Sequence, residues 1–355
     1  MMRYGIDLIA YLCDAFGPSG CETEVALRIR EQLDNAYDDL TEDRLGNLIA
    51  HLAPADEKKR PRVMISAHMD EVGFMVTGMT EEGYLKFDTL GGIDPRVLSG
   101  KAVLMGDEEN RVRGVISAKA VHHKSPDERL TLPTLSSLLI DIGASSREDA
   151  EKYLSVGSFG TFLSPFYRFG KDNAYLKGKA LDDRLGCAML IELLRELVKD
   201  RPDGLPDLYV CFTVREEVGL SGAQVAAQAI RPDYAVVIET TAVADVAGVP
   251  PRSTVAKLGM GGALSLADRS TIYDAKLIEK AQRIAEENGI PLQIKQAVSG
   301  GNDASHIHKS GVGVKTLALS APTRYLHSPA SVANENDYAS MLSLLRAILH
   351  GDVFA

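Results

Sequence analysis

The chain has 355 residues, 45% of them hydrophobic and 25% charged, with a net charge of −10 and no tryptophan. That length allows a sizeable core, either two domains or one large α/β domain carrying an insertion. The acidic balance argues against nucleic acid or an anionic membrane as the main partner, since both need a basic face, and it fits a solvated enzyme surface or a carboxylate-rich site.

The first residues, MMRYGIDLIAYLCDAFGPSG, interrupt their apolar positions with Asp7 and Asp14, which suits an amphipathic helix and not a secretory signal core. No apolar run approaches the ~20 residues needed to span a bilayer. Cys13, Cys21, Cys187 and Cys211 make no CxxC pair and no zinc-finger spacing, so free thiols in a cytoplasmic protein are expected.

A helix over residues 4–16 is expected to stop at Gly17-Pro18-Ser19-Gly20, with a second helix running to about Leu33. Two short strands follow, the second near Asn47 to Leu52, then a charged turn at 56–60. The apolar run Val63 to Ala67 is short enough for a buried strand and stops abruptly at His68-Met69-Asp70-Glu71. In an open α/β sheet such an end opens onto the crevice where ligands bind.

From 72 to 164 short alternating segments are punctuated by Glu82-Gly83, Gly91-Gly92, Ser99-Gly100 and Gly157, the turn spacing of a small β-rich domain. His122 and His123 lie there in a polar loop and are given no catalytic role. After Pro165 the α/β pattern returns. A long amphipathic helix follows Asp182-Asp183, LYVCFTV (208–214) reads as a buried strand, 221–229 as a helix, and YAVVI (234–238) as another buried strand. A helix near 277–285, a strand over 312–319 and a closing helix near 341–349 complete the chain. The expected fold is α/β, a mixed sheet flanked by helices and built from residues 1–71 and 165–355, with 72–164 as an inserted small β-barrel-like domain.

Each buried run ends in the same kind of residue. VMISA leads to His68 and Asp70, LYVCFTV to Glu216 and Glu217, YAVVI to Glu239, and the strand ending at Leu319 to His327 a short loop later. Taken singly, each has an ordinary explanation: Asp182 or Asp183 as a helix N-cap, the glutamates as solvated strand-end charges, the histidines as loop residues. If these strands are parallel neighbours, however, two histidines and several carboxylates converge on one edge, and the carboxylates would repel one another without cations. Imidazole and carboxylate donors suit zinc or cobalt, and there are enough for two ions sharing a carboxylate, with one further carboxylate left free to take a proton from water. Adjacent Glu216 and Glu217 point to opposite faces of a regular strand, so the strand must end or twist at Arg215 if both are to serve one site.

These motifs, AHMDEVG, LDDRLG, TVREEVG, IETT and YLHSP, resemble, in the same order, those of the tetrahedral-assembly (TET) family of cytosolic metallo-aminopeptidases, which includes glutamyl, leucyl and lysyl aminopeptidases. The resemblance spans nearly the whole chain, including GPSG near its start and SGGNDASHIH late on. It implies a dimetal exopeptidase with two divalent ions per subunit, bridged by Asp182. His68 and Glu239 would complete one site, and Glu217 and His327 the other. Glu216 would be the general base, and Asp70 would accept from the His68 nitrogen facing away from metal. The resemblance further implies a cis peptide at Asp182-Asp183, peptide substrates, and pairing of subunits through the inserted domain into dimers that close into a dodecamer. Many relatives have Asp where this chain has Glu239, which bears on metal preference.

Three other readings compete. A related dimetal carboxypeptidase or amidohydrolase would need a cation to grip a substrate carboxylate. A glycosidase would need carboxyl groups ~5–9.5 Å apart across a sugar bond and would leave His68 and His327 idle. A binding or scaffold protein would need no base. Pocket walls are expected from 240–250, 257–262 and 300–308.

Overall fold

The computed structural model describes residues 1–355 apart from 57, 108–109, 251–252 and 355, so that residue 57 of the expected charged turn lies outside the described residues. The first helix, Gly5–Asp14, buries Leu8, Ile9 and Leu12. The second, Thr23–Leu33, buries Val25, Ile29 and Leu33, one residue per turn on a single face. Strands β1 (Asp39–Glu42), β2 (Leu48–Leu52) and β3 (Arg62–His68) follow. In β3 every residue from Val63 to His68 is buried, as a strand covered on both faces requires.

The chain then leaves the sheet for β4 (Gly73–Met79), β5 (Leu85–Leu90), β6 (Ala102–Gly106), β7 (Arg111–Ile116), β8 (Ile140–Asp141) and β9 (Phe159–Phe162), which close into a barrel in the order β4-β5-β8-β7-β6-β9. The barrel has its own core, in which the Phe74 ring meets Phe87 and Phe162 edge-on at centroid distances of 5.5 and 5.0 Å.

Past the barrel come β10 (Tyr167–Phe169), β11 (Tyr175–Gly178), β12 (Asp207–Thr213), β13 (Tyr234–Ala242), β14 (Gly262–Leu264), β15 (Leu292–Ile294), β16 (Lys315–Thr323) and β17 (Ser331–Asn334). Among the described residues the main sheet runs β1-β2-β12-β3-β13-β16-β14-β15, and β10, β11 and β17 form a small second sheet. The four central strands β12, β3, β13 and β16 are mutually parallel, so their carboxyl ends share one edge. The helix Leu181–Lys199 lies across this centre, buried along nearly its whole length.

The limits of two strands differ from the sequence expectation, β13 at its end and β16 at both ends, since β16 runs on past Leu319 to Thr323. β13 continues past Ile238 to Ala242 because Glu239 to Ala242 stay in register with Ser320 to Thr323 of β16, so Glu239 lies inside a strand and not after one. β16 begins at Lys315, since Gly311 and Gly313 break the backbone around an exposed Val312. The β14–β15 edge and the small sheet were not expected; both are built from three- and four-residue pairings too short to carry a periodic signal.

Candidate active site

The edge of the parallel strands gathers the residues singled out by sequence. His68, the last residue of β3, is buried, and its Nε2 lies 3.1 Å from Asp182 Oδ1 and 3.5 Å from Glu239 Oε1. On the far side of the same carboxylate, His327 Nε2 lies 3.2 Å from Asp182 Oδ2 and 3.3 Å from Glu217 Oε1. Asp182 thus sits between two histidines, each with its own glutamate. The sets His68, Asp182, Glu239 and Asp182, Glu217, His327 each offer one atom per residue within 4.8 Å of one another, as do His68, Glu216 and Glu217.

Local backbone explains how each side chain arrives. Asp182 and Asp183 begin the long helix but are not helical, and the peptide between them is cis. β12 ends at Thr213, and Arg215 adopts a left-handed conformation at φ 55°, which turns Glu216 and Glu217 out of strand alternation. Asp70 grips the turn, its Oδ1 accepting the Glu216 N–H at 3.0 Å and its Oδ2 the Glu217 N–H at 3.1 Å. Ser19 donates its hydroxyl to the same Oδ2. His68 Nδ1 lies 3.1 Å from the Asp70 carbonyl oxygen and 3.4 Å from its Oδ1, so Asp70 orients the imidazole mainly through its backbone.

The barrel reaches the site as well. His327 Nδ1 lies 2.8 Å from the Gly92 carbonyl. The neighbouring Gly91 has φ +85°, and a Cβ there would lie 3.2 Å from Glu217 Cβ and Oε2 and 2.8 Å from a Val72 methyl. Glycine is needed for this close approach. His122 and His123 lie in the barrel segment outside these sets.

Burial dominates the electrostatics. It pushes Glu217 up to about 8 and Glu239 up to about 7, each further raised by Asp182. Glu216 is also raised, by burial and then by Glu239 and Glu217 against the opposing charge of His68. Burial acts on Asp182 in the same direction, but its bonds to His327 and His68 outweigh it and hold it well below the usual carboxylate range. Several carboxylates held so close in a desolvated site bind protons tightly, and a divalent cation competes for the same oxygens.

These groups open onto a cleft of 410 Å³ whose walls include Thr240, Lys295, Ser299 and Asn302. The expected walls 240–250 and 300–308 contribute residues 240–242 and 300–302, whereas 257–262 does not line the cleft. Its backbone instead donates to Gln293 from Lys257 and to Asp337 from Gly259 and Gly261. A larger hollow of about 1120 Å³ lies at the opposite end of the strands, near Asp233 and Lys315, away from the clustered carboxylates. The sequence reading missed Glu22, Asp268 and Lys295, and it held Asp303 only as part of the expected wall 300–308, with no role of its own. Glu22 accepts the Arg215 N–H, and Asp303 accepts the Thr213 hydroxyl at 2.6 Å beneath the site. None of the four follows an apolar run, the signal that pointed to all of the others except Asp182.

This sheet edge belongs to a known class of peptide hydrolases. The family described as M42 glutamyl aminopeptidase matches residues 46–344. The putative aminopeptidase FrvX of Escherichia coli K12 is 36% identical over 97% of this chain and 94% of its own length. The TET aminopeptidase of Thaumarchaeota archaeon SCGC AB-539-E09 superposes with a TM-score of 0.91 at 36% identity, covering 97% of this chain and 95% of that one. The Pyrococcus horikoshii TET1 peptidase, which can assemble into a tetrahedron or a large octahedral shell, superposes at 0.86 with 36% identity over 97% and 98% of the two chains. The chain belongs to the M42 peptidase family and is an aminopeptidase, a hydrolase of peptide bonds. Among the described residues no helix is long and apolar enough to cross a membrane.

Proposed function

We propose that this aminopeptidase works with two divalent ions, zinc or cobalt, held on either side of Asp182. His68 and Glu239 complete one site, Glu217 and His327 the other, and Glu216 serves as general base. The observation that carries this reading is Asp182 itself, with a histidine nitrogen within 3.2 Å of each of its oxygens. The donor set fits such ions, being imidazole nitrogen and carboxylate oxygen. Among the described residues Glu217 Oε1 is also buried and accepts no hydrogen bond, even with His327 Nε2 3.3 Å away, and a cation would satisfy it.

When bound, such ions polarise a scissile carbonyl and acidify a water. Glu216 takes the proton and returns it to the leaving amine, a role suited to a carboxylate whose burial makes it more basic. Asp70 holds both the His68 ring and the Glu216 N–H, which keeps base and ligand in fixed relation. The carboxylates of the cleft attract a cationic α-amine, which directs attack to the first peptide bond.

The resemblance of the fold to TET peptidases supports a homo-oligomer, with barrel-mediated dimers assembling into a dodecamer. The inserted segment exposes Leu130, Leu132 and Val156, apolar surface of the kind that subunit contacts cover. Two measurements test the catalytic reading. Metal analysis should give two ions per chain, with activity lost on chelation and restored by zinc or cobalt. Peptides with a free amine should be cleaved while N-acetylated ones are spared, and the reverse preference would favour the amidohydrolase reading.

A further inference from the structure

Glu71, Lys179 and Arg184 form a cluster of charges that the chemistry above does not use, and they are only 2%, 6% and 0% exposed. Lys179 Nζ donates to Glu71 Oε1 at 2.6 Å and to the Ala15 carbonyl at 2.8 Å, and Arg184 Nη2 lies 3.5 Å from the same Glu71 oxygen. The other Glu71 oxygen accepts the Thr161 hydroxyl of β9 at 2.7 Å. Arg184 also donates to backbone, reaching the carbonyls of Met69 and Leu12 at 2.7 Å and that of Gly17 at 3.3 Å. A Cβ on Gly17 would lie 2.6 Å from Arg184 Nη2, so the chain leaves no slack around the guanidinium.

Two cations and one anion taken out of water are a poor way to stabilise a core, because desolvation offsets most of their attraction and apolar side chains of similar volume often do as well. Their places in the chain point elsewhere. Lys179 stands three residues before Asp182 and Arg184 two residues after it, so the segment carrying the central carboxylate is tied to Glu71 from both sides. Glu71 itself stands three residues after His68, and Arg184 Nε holds the carbonyl of Met69, the residue next to His68. The two segments whose side chains meet at 3.1 Å, His68 Nε2 to Asp182 Oδ1, are thus joined a second time through buried charge.

We infer that Glu71 is a positioning residue, which sets the carboxylate of Asp182 at its distance from His68 by receiving the cations on either side of it. This rests on the two-ion reading, in which both ions share Asp182. A side chain that fixes a ligand without touching the metal governs affinity by roughly ten- to hundredfold. Glu71 acts through its length and its charge together. An aspartate would withdraw the carboxylate by one methylene from Lys179, Arg184 and Thr161, and a neutral amide would leave two buried cations unpaired.

Release of cobalt from the loaded enzyme into a competing chelator, followed by visible absorbance, reads this role beside the unfolding midpoint in excess chelator. Glu71→Asp keeps the charge and shortens the arm, and should release cobalt at roughly ten- to hundredfold lower chelator concentration. Glu71→Gln leaves two uncompensated cations and should lower both cobalt retention and the midpoint. Adding Lys179→Met restores the buried net charge, so the midpoint should recover while cobalt retention stays low. Recovery of both in the double variant would show that the cluster only balances charge and would overturn the inference. Wild-type retention of cobalt in Glu71→Asp would overturn it too, with the two-ion reading left standing. A wild-type enzyme that holds fewer than two ions per chain removes that reading, and the inference with it.

Discussion

Glu22 Oε1 accepts the backbone N–H of Arg215 at 3.1 Å, tying the start of the second helix to the turn that carries Glu216 across 193 positions of sequence. The same oxygen accepts the Gly20 N–H at 2.7 Å. With Asp70 gripping the next two amides, three successive N–H groups are held by two buried carboxylates. Such a clamp fixes a left-handed turn that Arg215 would not adopt unaided.

Glu22→Ala should therefore lower kcat by about tenfold or more, since small misplacement of a base is costly. Glu22→Gln keeps an acceptor oxygen and should recover most of the loss. Steady-state kinetics beside metal content decide the matter: a lower Tm with unchanged kcat would show that the bond stabilises the fold without positioning the base.

Glu216 and Glu217 should separate on substitution. Glu217→Gln offers a neutral, poorer ligand and should lose metal occupancy. Glu216→Gln keeps its shape but removes the base that the proposed mechanism requires, so both ions should remain while turnover falls by roughly 10²–10⁴-fold. Metal analysis of the two purified variants distinguishes the roles, and loss of metal from Glu216→Gln would reverse the assignment.

Assembly should follow the barrel. Light scattering or sedimentation is expected to give a species far larger than the 38.3 kDa chain. Leu132→Glu places a charge on the exposed apolar surface of the insertion and should shift the distribution toward smaller species. A wild-type protein that stays monomeric with its metals bound would sink the assembly proposal.

Asp337 offers a pH test away from the Asp182 cluster. It accepts the N–H groups of Gly259 and Gly261 at 2.8 and 2.7 Å, yet burial pushes it up to about 6. With its folded pKa above the unfolded value, the folded state binds the proton more tightly between about 3.8 and 6, so this group's contribution to stability declines as pH rises through that window. Asp337→Asn does not titrate. The unfolding free energy of wild type minus variant should fall by about 1 kcal/mol between pH 5 and pH 8, and denaturant titrations at the two pH values would show it. A constant difference would mean that Asp337 is not raised.

Sequence alone carried a good part of this protein. The apolar runs Val63–Ala67, 208–214, 234–238 and 312–319 announced buried strands, and the residues beyond them pointed to His68, Asp70, Glu216, Glu217, Glu239 and, a short loop later, His327 as candidates, because strand burial and the abrupt onset of polarity are local properties. The break required at Arg215 was legible too, since strand alternation forbids two neighbouring glutamates on one face. Tertiary structure decided the rest. Whether β13 ended before or after Glu239 depended on pairing with β16, some 80 residues away. Which donors surround Asp268, and that Lys295 donates to the Ser299 carbonyl, depended on how the fold placed each beside the cleft. That Glu22 and the Gly91–Gly92 corner complete the site depended on contacts made only once the chain had folded back on itself. Periodicity reports the face a residue presents, whereas a hydrogen-bond partner distant in sequence leaves no mark in the residues beside it.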